Sequence, residues 1–422
     1  MPNNWNTYKL SQVTTKIGSG STPRGGQEAY KTSGTSLIRS QNILDFTFST
    51  NGLAFIDDAQ ASKLNNVTLE EDDVLLNITG DSVARVCQVP KELLPARVNQ
   101  HVAIIRANKD KLNSSFLKYS LLETSNKNAL LNMASAGATR QAITKSMIEG
   151  FEIKLPPLQE QQSIASILSA IDDKIENNLA INKTLEEMAM ALYKHWFVDF
   201  GPFQDGEFIE SELGMIPKGW EVKRLDELAD IGSSKRIFYD EYVAEGIPFY
   251  RGKEVIELSK GKSISSELFI SEQKFKEIKS KFDIPTKGDI LISSVGTIGV
   301  SWLVDGFEEF YFKDGNLTWI KKYKTFLKGE YLHLWLNSEN GKNQIDGEVI
   351  GSTQKALTIS SLRNFKILFP NEEVYKQIGN EFIDYYEQRQ LNLIEIKTLT
   401  QLRDTLLPQL ISGAVRIKEF RE

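Results

Sequence analysis

The sequence contains two copies of one pattern, and the second copy begins about 215 residues after the first. Trp5 returns as Trp220, displaced by 215 residues. The clearest match is between GATRQAIT at residues 137–144 and GSTQKALT at residues 351–358, displaced by 214. A period of this length corresponds to a domain and not to the repeat of a solenoid. The sequence therefore predicts two copies of one fold.

Length and composition agree with two domains. A chain of 422 residues exceeds the usual size of a single hydrophobic core. The one cysteine, Cys87, excludes an intrachain disulfide and is typical of a reducing compartment. The N-terminus lacks the basic and apolar segments of a signal peptide, and no apolar run is long enough to cross a bilayer. We therefore expect a cytoplasmic protein with no membrane partner.

Each copy is followed by a long segment with helical periodicity. The first, residues 158–200, contains no Gly or Pro, and Gly201 and Pro202 follow it directly. The second, residues 371–412, contains Pro408, which we expect to kink or end its last turn. Apolar residues alternate at spacings of three and four, which is typical of a helix seam. The predicted seam, a coiled-coil interface, consists of Ile164, Leu168, Ile171, Ile175, Asn178, Leu185, Leu192, Trp196, Ile378, Phe382, Tyr385, Ile396, Leu399 and Leu406.

Two seams of this kind bury their apolar faces most economically against each other. If an approximate two-fold axis relates the copies, the helices pair in antiparallel fashion, and polar residues such as Asn178 fix the register at some cost in stability. In the alternative, each helix packs only on its own domain. The pattern favours the first arrangement, an α/β (α+β) protein with two globular domains separated by two long antiparallel coiled-coil helices.

The predicted order along the chain has five parts. These are a first domain at residues 1–156, a spacer helix at 157–200, a linker at 201–219, a second domain at 220–370, and a second spacer helix with the C-terminal tail at 371–422. Within the domains, apolar runs predict strands at residues 74–78, 102–105, 290–292 and 317–320. Helices are predicted at residues 115–123 and 330–337.

The net charge of −6 is concentrated in the helical segments. Residues 158–200 carry a net charge of −4 and residues 371–412 carry −3, which leaves +1 on the rest of the chain. Basic and amide side chains instead occupy loops rich in Gly, Ser and Thr, and such side chains suit base edges and phosphates. Each of them alone could equally be part of a solvated turn, but the loops recur in both copies. The predicted DNA-binding residues are Arg24, Arg39, Gln41, Asn42, Arg140, Gln141, Lys235, Arg236, Arg251, Lys253, Thr297, Gln354 and Lys355.

The sequence contains no recognisable catalytic or metal-binding pattern. His101, His195 and His333 are isolated, and a single cysteine gives no metal-ligand spacing. The GSGS run at residues 18–21 is too short and wrongly flanked for a nucleotide-binding loop. We expect a chain that is not an enzyme by itself and that binds no metal or cofactor.

The stretch LPPLQEQQSIASILSAIDDKIENN at residues 155–178, together with GATRQAIT, resembles the central repeat of the specificity subunit of Type I restriction-modification systems. The resemblance covers the whole chain. In the second copy, Phe369, Pro370 and Asn371 stand where the first has its double proline, and QEQ is absent. The resemblance implies sequence-specific binding to a bipartite DNA target, with one half-site read by each domain.

The same resemblance implies partners and cofactors. Two modification (methyltransferase) subunits would dock on the helices, and restriction (endonuclease and translocase) subunits would complete the complex on double-stranded DNA. S-adenosylmethionine, ATP and Mg would be bound by those partners, which would supply adenine-N6 methylation and ATP-dependent cleavage. A function of another class stays open: a non-catalytic coiled-coil adaptor that assembles protein partners without reading DNA. The sequence does not determine the target bases or the length of the gap between half-sites.

Overall fold

The computed structural model describes residues 5–135, 142–262, 264, 267–348 and 356–417. It divides into two compact units. Unit 1 contains the chain up to residue 177 together with residues from 395 onward, and unit 2 contains residues 178–394. Each unit therefore includes one part of each long helix.

The described residues of unit 1 form nine strands and five α-helices, together with parts of the two long helices. Its strands are β1 (Asn6–Lys9), β2 (Thr14–Ser19), β3 (Thr35–Ile38), β4 (Ala54–Ile56), β5 (Val74–Asn77), β6 (Val86–Gln88), β7 (Ala96–Val98), β8 (Val102–Ala107) and β9 (Glu152–Leu155). Its helices are α1 (Leu10–Val13), α2 (Asp58–Lys63), α3 (Ser114–Leu122), α4 (Thr124–Ser135), α5 (Lys145–Gly150), the first part of α6 (Leu158–Phe197) and the last part of α13 (Glu372–Ile411).

The central sheet of unit 1 is antiparallel, with the strand order β2-β8-β5-β6. Its strand β5 is buried on both faces, which explains the continuous apolar run in the sequence. Val74 and Leu76 pack into the core formed with the helices, whereas Leu75 packs into a second core with β3, β4 and β7. Strand β3 pairs antiparallel with β4 and parallel with β7. Strand β1 pairs with β9.

Unit 2 repeats this arrangement with additions. Its strands are β10 (Phe208–Ser211), β11 (Gly214–Pro217), β12 (Glu221–Arg224), β13 (Asp230–Gly232), β14 (Tyr242–Val243), β15 (Ile247–Tyr250), β16 (Phe269–Ile270), β17 (Ile290–Ser293), β18 (Ser301–Leu303), β19 (Tyr311–Phe312), β20 (Leu317–Lys321) and β21 (Lys366–Phe369). Its helices are the rest of α6, α7 (Leu225–Leu228), α8 (Gly252–Ser259), α9 (Glu272–Lys281), α10 (Gly329–Asn337), α11 (Glu339–Glu348), α12 (Ile359–Arg363) and the first part of α13 (Glu372–Ile411).

The pairing of strands confirms the internal duplication. The sheet β13-β20-β17-β18 of unit 2 matches β2-β8-β5-β6 of unit 1, and the pair β12-β21 matches β1-β9. The parallel pair β15-β19 likewise matches β3-β7. Unit 2 also contains the hairpin β10-β11, formed by residues that the sequence analysis assigned to a linker.

The two long helices pack antiparallel to each other within each unit. In unit 1, Lys174 Nζ lies 3.3 Å from Glu395, and Arg403 Nη1 lies 3.2 Å from Asp172, so residue numbers rise along α6 as they fall along α13. In unit 2, Asn392 Nδ2 donates to Asn182 Oδ1 at 2.8 Å. Pairing of the helices is therefore confirmed.

The alternative, in which each helix packs only on its own domain, is wrong. Leu407 and Leu410 of α13, which follows the second copy, lie in the core of unit 1. Tyr193 and Phe197 of α6, which follows the first copy, lie in the core of unit 2. Pro408 does not end the helix, because α13 continues beyond it to Ile411. The alternative, that Pro408 kinks the last turn, stays a prediction.

Burial along the predicted seam is graded. Ile164, Leu168, Ile171, Asn178, Ile378 and Phe382 are buried, whereas Ile175, Leu185, Leu192, Trp196, Tyr385, Ile396, Leu399 and Leu406 are half-buried. Four of the buried apolar residues, Ile164, Leu168, Ile378 and Phe382, lie where the helices also contact a domain core. Where a seam residue contacts only the other long helix, less of its side chain is covered. Among the described helices, none combines the length and the apolar character needed to cross a bilayer.

Candidate nucleic-acid interface

One edge of the central sheet in unit 1 collects several of the predicted loops. Because neighbouring strands are antiparallel, the end of β2, the end of β5 and the start of β8 meet at the same edge. The backbone N–H of Gly20 donates to Val102 O at 2.9 Å, and that of Ile78 donates to His101 O at 3.0 Å. A Cβ at Gly20 would lie 2.1 Å from Val98 O, so glycine is required there. We call this edge the loop edge of unit 1.

The loop after β3 reaches the same edge. Asn77 Nδ2 donates to Ser40 O at 2.9 Å, which ties this loop to the end of β5. Arg39 lies with its guanidinium carbon 5.2 Å from the centre of the Tyr30 ring. Gln41 is exposed, and its Nε2 donates to Gly52 O at 3.2 Å. The loop thus offers a guanidinium and an amide beside each other.

Asn42 has a structural role in this loop. It is fully buried, and its Nδ2 donates to Ser49 O at 2.9 Å and to Asn51 O at 3.2 Å. Its Oδ1 accepts from the backbone N–H of Arg39 at 3.0 Å. These bonds use both ends of its amide inside the protein, so Asn42 holds the shape of the loop.

The other predicted residues of unit 1 are Arg24, Arg140 and Gln141. Arg24 is exposed, and its carbonyl accepts from Gln60 Nε2 at 3.0 Å. Arg140 and Gln141 lie outside the described residues. The residues that follow them are at the edge, since Ala142 bridges to Thr79 and the N–H of Ile143 donates to Ile78 O at 2.9 Å.

Unit 2 has an equivalent loop edge. Ser233 Oγ, just after β13, donates to Leu317 O at 3.1 Å. The N–H of Ser294, just after β17, donates to Asn316 O at 2.9 Å, and the N–H of Leu357 donates to Ser294 O at 2.9 Å. The same three strand ends therefore meet in unit 2 as in unit 1, and the predicted residues Gln354 and Lys355, which precede Leu357, lie outside the described residues.

The described basic candidates of unit 2 hold defined positions. The exposed Arg236 donates from Nε to Asp314 Oδ2 at 2.9 Å, and the N–H of Lys235 donates to the Tyr311 hydroxyl at 2.8 Å. Arg251 pairs with Glu254 at 2.6 Å, and this bond raises the pKa of the guanidinium. Lys253 and Thr297 are exposed, in α8 and in the loop after β17 respectively.

The sequence analysis missed a chain of polar contacts at the loop edge of unit 1. Thr22 Oγ1 donates to Gln100 Oε1, Gln100 Nε2 lies 2.9 Å from His101 Nε2, and His101 Nδ1 lies 2.6 Å from Thr79 Oγ1. This chain joins three loops of the edge. An isolated histidine carries no sequence signal for such a role, except that His101 directly precedes a predicted strand.

The outer faces of the long helices carry exposed apolar side chains. Ile167, Ile181 and Met188 of α6 recur at multiples of seven and are 38–46% exposed. Leu391 and Ile394 of α13 are 59% and 43% exposed. Residues seven apart lie on the same side of a helix, so α6 presents an apolar stripe.

No group of three or more His, Cys, Asp or Glu side chains in the described part of the chain could hold a metal ion. Cys87 is buried in unit 1, and burial raises the pKa of its thiol to about 12.

Comparison with known proteins gives a consistent result. The model of the Type I restriction modification DNA specificity domain matches residues 2–187 and again residues 217–403. A Type I restriction enzyme MjaIX specificity subunit from Methanocaldococcus jannaschii is 28% identical over 426 residues, which covers 100% of this chain and 95% of that protein. A putative type I restriction enzyme specificity subunit from Haemophilus influenzae is 30% identical over 280 residues and covers 64% of each chain.

A solved structure has the same fold. The S subunit of a Type I restriction-modification system from M. genitalium superimposes with a TM-score of 0.60 at 16% sequence identity, over 97% of each chain. The twofold match of the domain model agrees with the duplication seen in the strand order.

Proposed function

Since the chain belongs to the Type I restriction-modification DNA specificity family, we propose that each unit reads one half of a split DNA target through its loop edge. The observation that carries this proposal is the convergence, in both units, of Gly-rich loops with basic and amide side chains at equivalent strand ends. A duplicated reader suits a bipartite target, because each copy can vary its loops independently.

The chemistry of the loop edges fits base and phosphate contacts. Arginine pairs with guanine, and glutamine pairs with adenine, at major-groove edges. In unit 1, Arg39 and Gln41 lie side by side, and in unit 2, Lys235 and Arg236 follow β13. Different side chains at equivalent places would give two different half-sites, so the target need not be a palindrome.

The long helices are the proposed spacer and docking surface. Forty residues of α6 correspond to about 60 Å of helix. The apolar stripe of Ile167, Ile181 and Met188 is suited to contact helices or sheets of a modification subunit, because burial of such side chains stabilises an interface. We propose two modification subunits on this surface, with restriction subunits joining the complex.

In this proposal the chain recognises DNA and its partners carry out the chemistry. The modification subunits would bind S-adenosylmethionine and methylate adenine, and the restriction subunits would use ATP and Mg to cleave DNA. The relatives are specificity subunits, which are non-catalytic. Residues of this chain would therefore position the complex on its target.

Mapping of methylated adenines tests the proposal. The chain is expressed with its modification subunits in cells that lack adenine methylation, and we expect a split motif with a gap of fixed length. Gln41→Ala should relax only the half-site of unit 1, and Arg236→Ala only that of unit 2. Matched controls are Gln12→Ala, in α1, and Arg224→Ala, whose side chain pairs with Asp226 at 2.6 Å as Arg236 pairs with Asp314.

Two results would contradict the proposal. If the wild-type complex forms and yet directs no methylation to any motif, the chain acts as an adaptor and not as a reader. If both loop-edge variants leave both half-sites unchanged while the motif is present, the loop edges do not read DNA.

A further inference from the structure

Unit 2 contains a lysine-rich cleft of about 510 Å³. Five lysines line it: Lys235, Lys279, Lys281, Lys321 and Lys322. Lys235 belongs to the loop edge, Lys279 and Lys281 end α9, and Lys321 ends β20. The cleft therefore runs from the loop edge along β20 to the opposite end of the sheet. We call it the lysine cleft.

Aromatic side chains form part of its surface. Trp319 and Tyr311 are buried at its base, and Phe282 is 45% exposed at its rim. Lys321 Nζ lies 3.8 Å from the centre of the Trp319 ring, and Lys235 Nζ lies 4.6 Å from that of Phe282. These cation-π contacts hold two ammonium groups against the wall without neutralising their charge.

Carboxylates balance only part of the positive charge in the cleft. Asp283 lies 2.7 Å from Lys321 Nζ and 2.6 Å from Lys322 Nζ, and hydrogen bonds from these lysines lower the pKa of its carboxyl group. Glu309 pairs with Lys279. The charges of Asp230 and Asp289 also act on Lys322. Five lysines against these four carboxylates leave a small excess of positive charge, which attracts an anionic ligand.

Unit 1 differs at the corresponding positions. Ser21 stands where unit 2 has Lys235, because Gly18 and Gly232 pair with the equivalent residues Ile104 and Trp319. Ala107, displaced by 215 residues, stands where unit 2 has Lys322. Arg106, which corresponds to Lys321, is paired with Asp73 at 2.8 Å and also with Glu70. The excess of positive charge at these positions is thus a feature of unit 2 that unit 1 does not share.

We propose that the lysine cleft binds the phosphodiester backbone of the DNA at the half-site of unit 2. This inference rests on the proposed function. It identifies the surface that gives unit 2 its electrostatic affinity for DNA. The cleft begins at the loop edge, so a duplex read there continues along it. Five residues of β20 span about 13 Å, over which one strand of B-DNA presents about four phosphates. Lysine ammonium groups bind phosphates as point charges without reading the sequence.

The salt dependence of DNA binding tests the cleft. The full chain, assembled with its modification subunits, is titrated with the specific duplex over a series of salt concentrations. The triple variant K279Q/K281Q/K322Q should bind roughly tenfold more weakly at physiological salt, and its slope of log affinity against log salt should be shallower by about 2 to 3, because about 0.9 is lost per phosphate contact. Its methylated motif should be unchanged, since backbone contacts do not read bases.

A control variant removes the same charge elsewhere in unit 2. Lys218, Lys276 and Lys376 lie outside the cleft, are each paired with a glutamate and are 66–75% exposed. K218Q/K276Q/K376Q should keep the wild-type slope. An unchanged slope in the cleft variant, or an equal change in both variants, overturns the inference.

Failure of the cleft and failure of the proposed function are distinguishable. If the wild-type complex does not prefer the specific duplex over a scrambled one, the proposed function fails. If the wild type is specific and the cleft variant keeps its slope, the loop edges remain the readers and the cleft is not a backbone site. A changed motif in the cleft variant would also contradict the inference, since it would assign base contacts to these lysines.

Discussion

In unit 2, His333 Nδ1 lies 2.7 Å from the hydroxyl oxygen of Tyr386. At the corresponding positions of unit 1, Lys118 Nζ lies 3.4 Å from Asp172 Oδ2. Both contacts join the helix that follows the central sheet to a long helix, α10 to α13 in unit 2 and α3 to α6 in unit 1. The duplicated fold therefore holds equivalent helices with an ion pair in one unit and with a neutral hydrogen bond in the other.

The ion pair of unit 1 predicts that Asp172→Asn strongly lowers the stability of this unit. The Asp172 carboxylate also accepts from the Tyr119 hydroxyl at 2.6 Å and from Arg403 at 3.2 Å. Removing its charge leaves two cations in a buried site, which should cost unit 1 about 3 kcal/mol of stability. Hydrogen exchange of α3 in the full chain measures this loss. Tyr386→Phe should lower the stability of unit 2 by about 1 kcal/mol, measured by hydrogen exchange of α10. Equal losses of stability in the two variants would contradict the assignment of an ion pair to unit 1 and a neutral hydrogen bond to unit 2.

His333 makes the stability of unit 2 depend on pH. Burial lowers its pKa from 6.5 to about 4. Between these values the unfolded state binds a proton that the folded state does not, so stability rises with pH and is lost as the pH falls from 6.5 toward 4. The full effect is about 3 kcal/mol. Hydrogen exchange of α10, corrected for its intrinsic pH dependence, measures the slope.

His333→Gln isolates this contribution. Burial also raises the pKa of Glu330 in the same helix, so the parent protein and the variant must be compared directly. The variant should lose the part of the slope between pH 4 and 6.5 that His333 supplies. The same slope in parent and variant would assign the pH dependence to the carboxyl groups.

The duplication and the long helices follow from the sequence because they depend on periodicity. The seam runs without Gly or Pro through most of its length, and the observed α6 and α13 end within a few residues of the predicted limits. The strand at Val74–Asn77 was also predictable, because a short apolar run bounded by turn residues is typical of a buried strand. These features are local in sequence.

Contacts between distant residues could not be predicted in this way. The parallel pair β3-β7 joins residues about 60 apart, and no local pattern indicates it. Asn42 has the residue type of a base reader, yet its amide bonds to the backbone of its own loop. Lys279 and Lys322 each have the pattern of an ordinary surface lysine, and only the packing of α9 beside β20 brings them to one cleft.

The hydrogen bond between two asparagines of the long helices predicts that substitutions at the two positions have non-additive effects on stability. Asn392 Nδ2 donates to Asn182 Oδ1 at 2.8 Å, and both side chains are buried. Asn392→Leu should destabilise unit 2 by about 2 kcal/mol, because Asn182 is left without this partner. Asn182→Leu together with Asn392→Leu should restore the stability, since two apolar side chains can pack at the same place. Urea unfolding of the two single variants and the double variant gives the coupling energy between the two positions. A double variant that is less stable than either single variant would contradict the prediction.

Cys87 provides a probe that reports on unit 1 alone. It is the one cysteine of the chain and is 1% exposed. Burial raises the pKa of its thiol to about 12, so at pH 8 the folded protein presents a neutral, covered sulfur in place of the reactive thiolate. We expect labelling by a thiol reagent to be slow and to become faster in Asp172→Asn, which destabilises the same unit. Tyr386→Phe in unit 2 should leave the rate unchanged. Rapid labelling of the wild type, or equal acceleration in both variants, would show that Cys87 becomes accessible without the unfolding of unit 1.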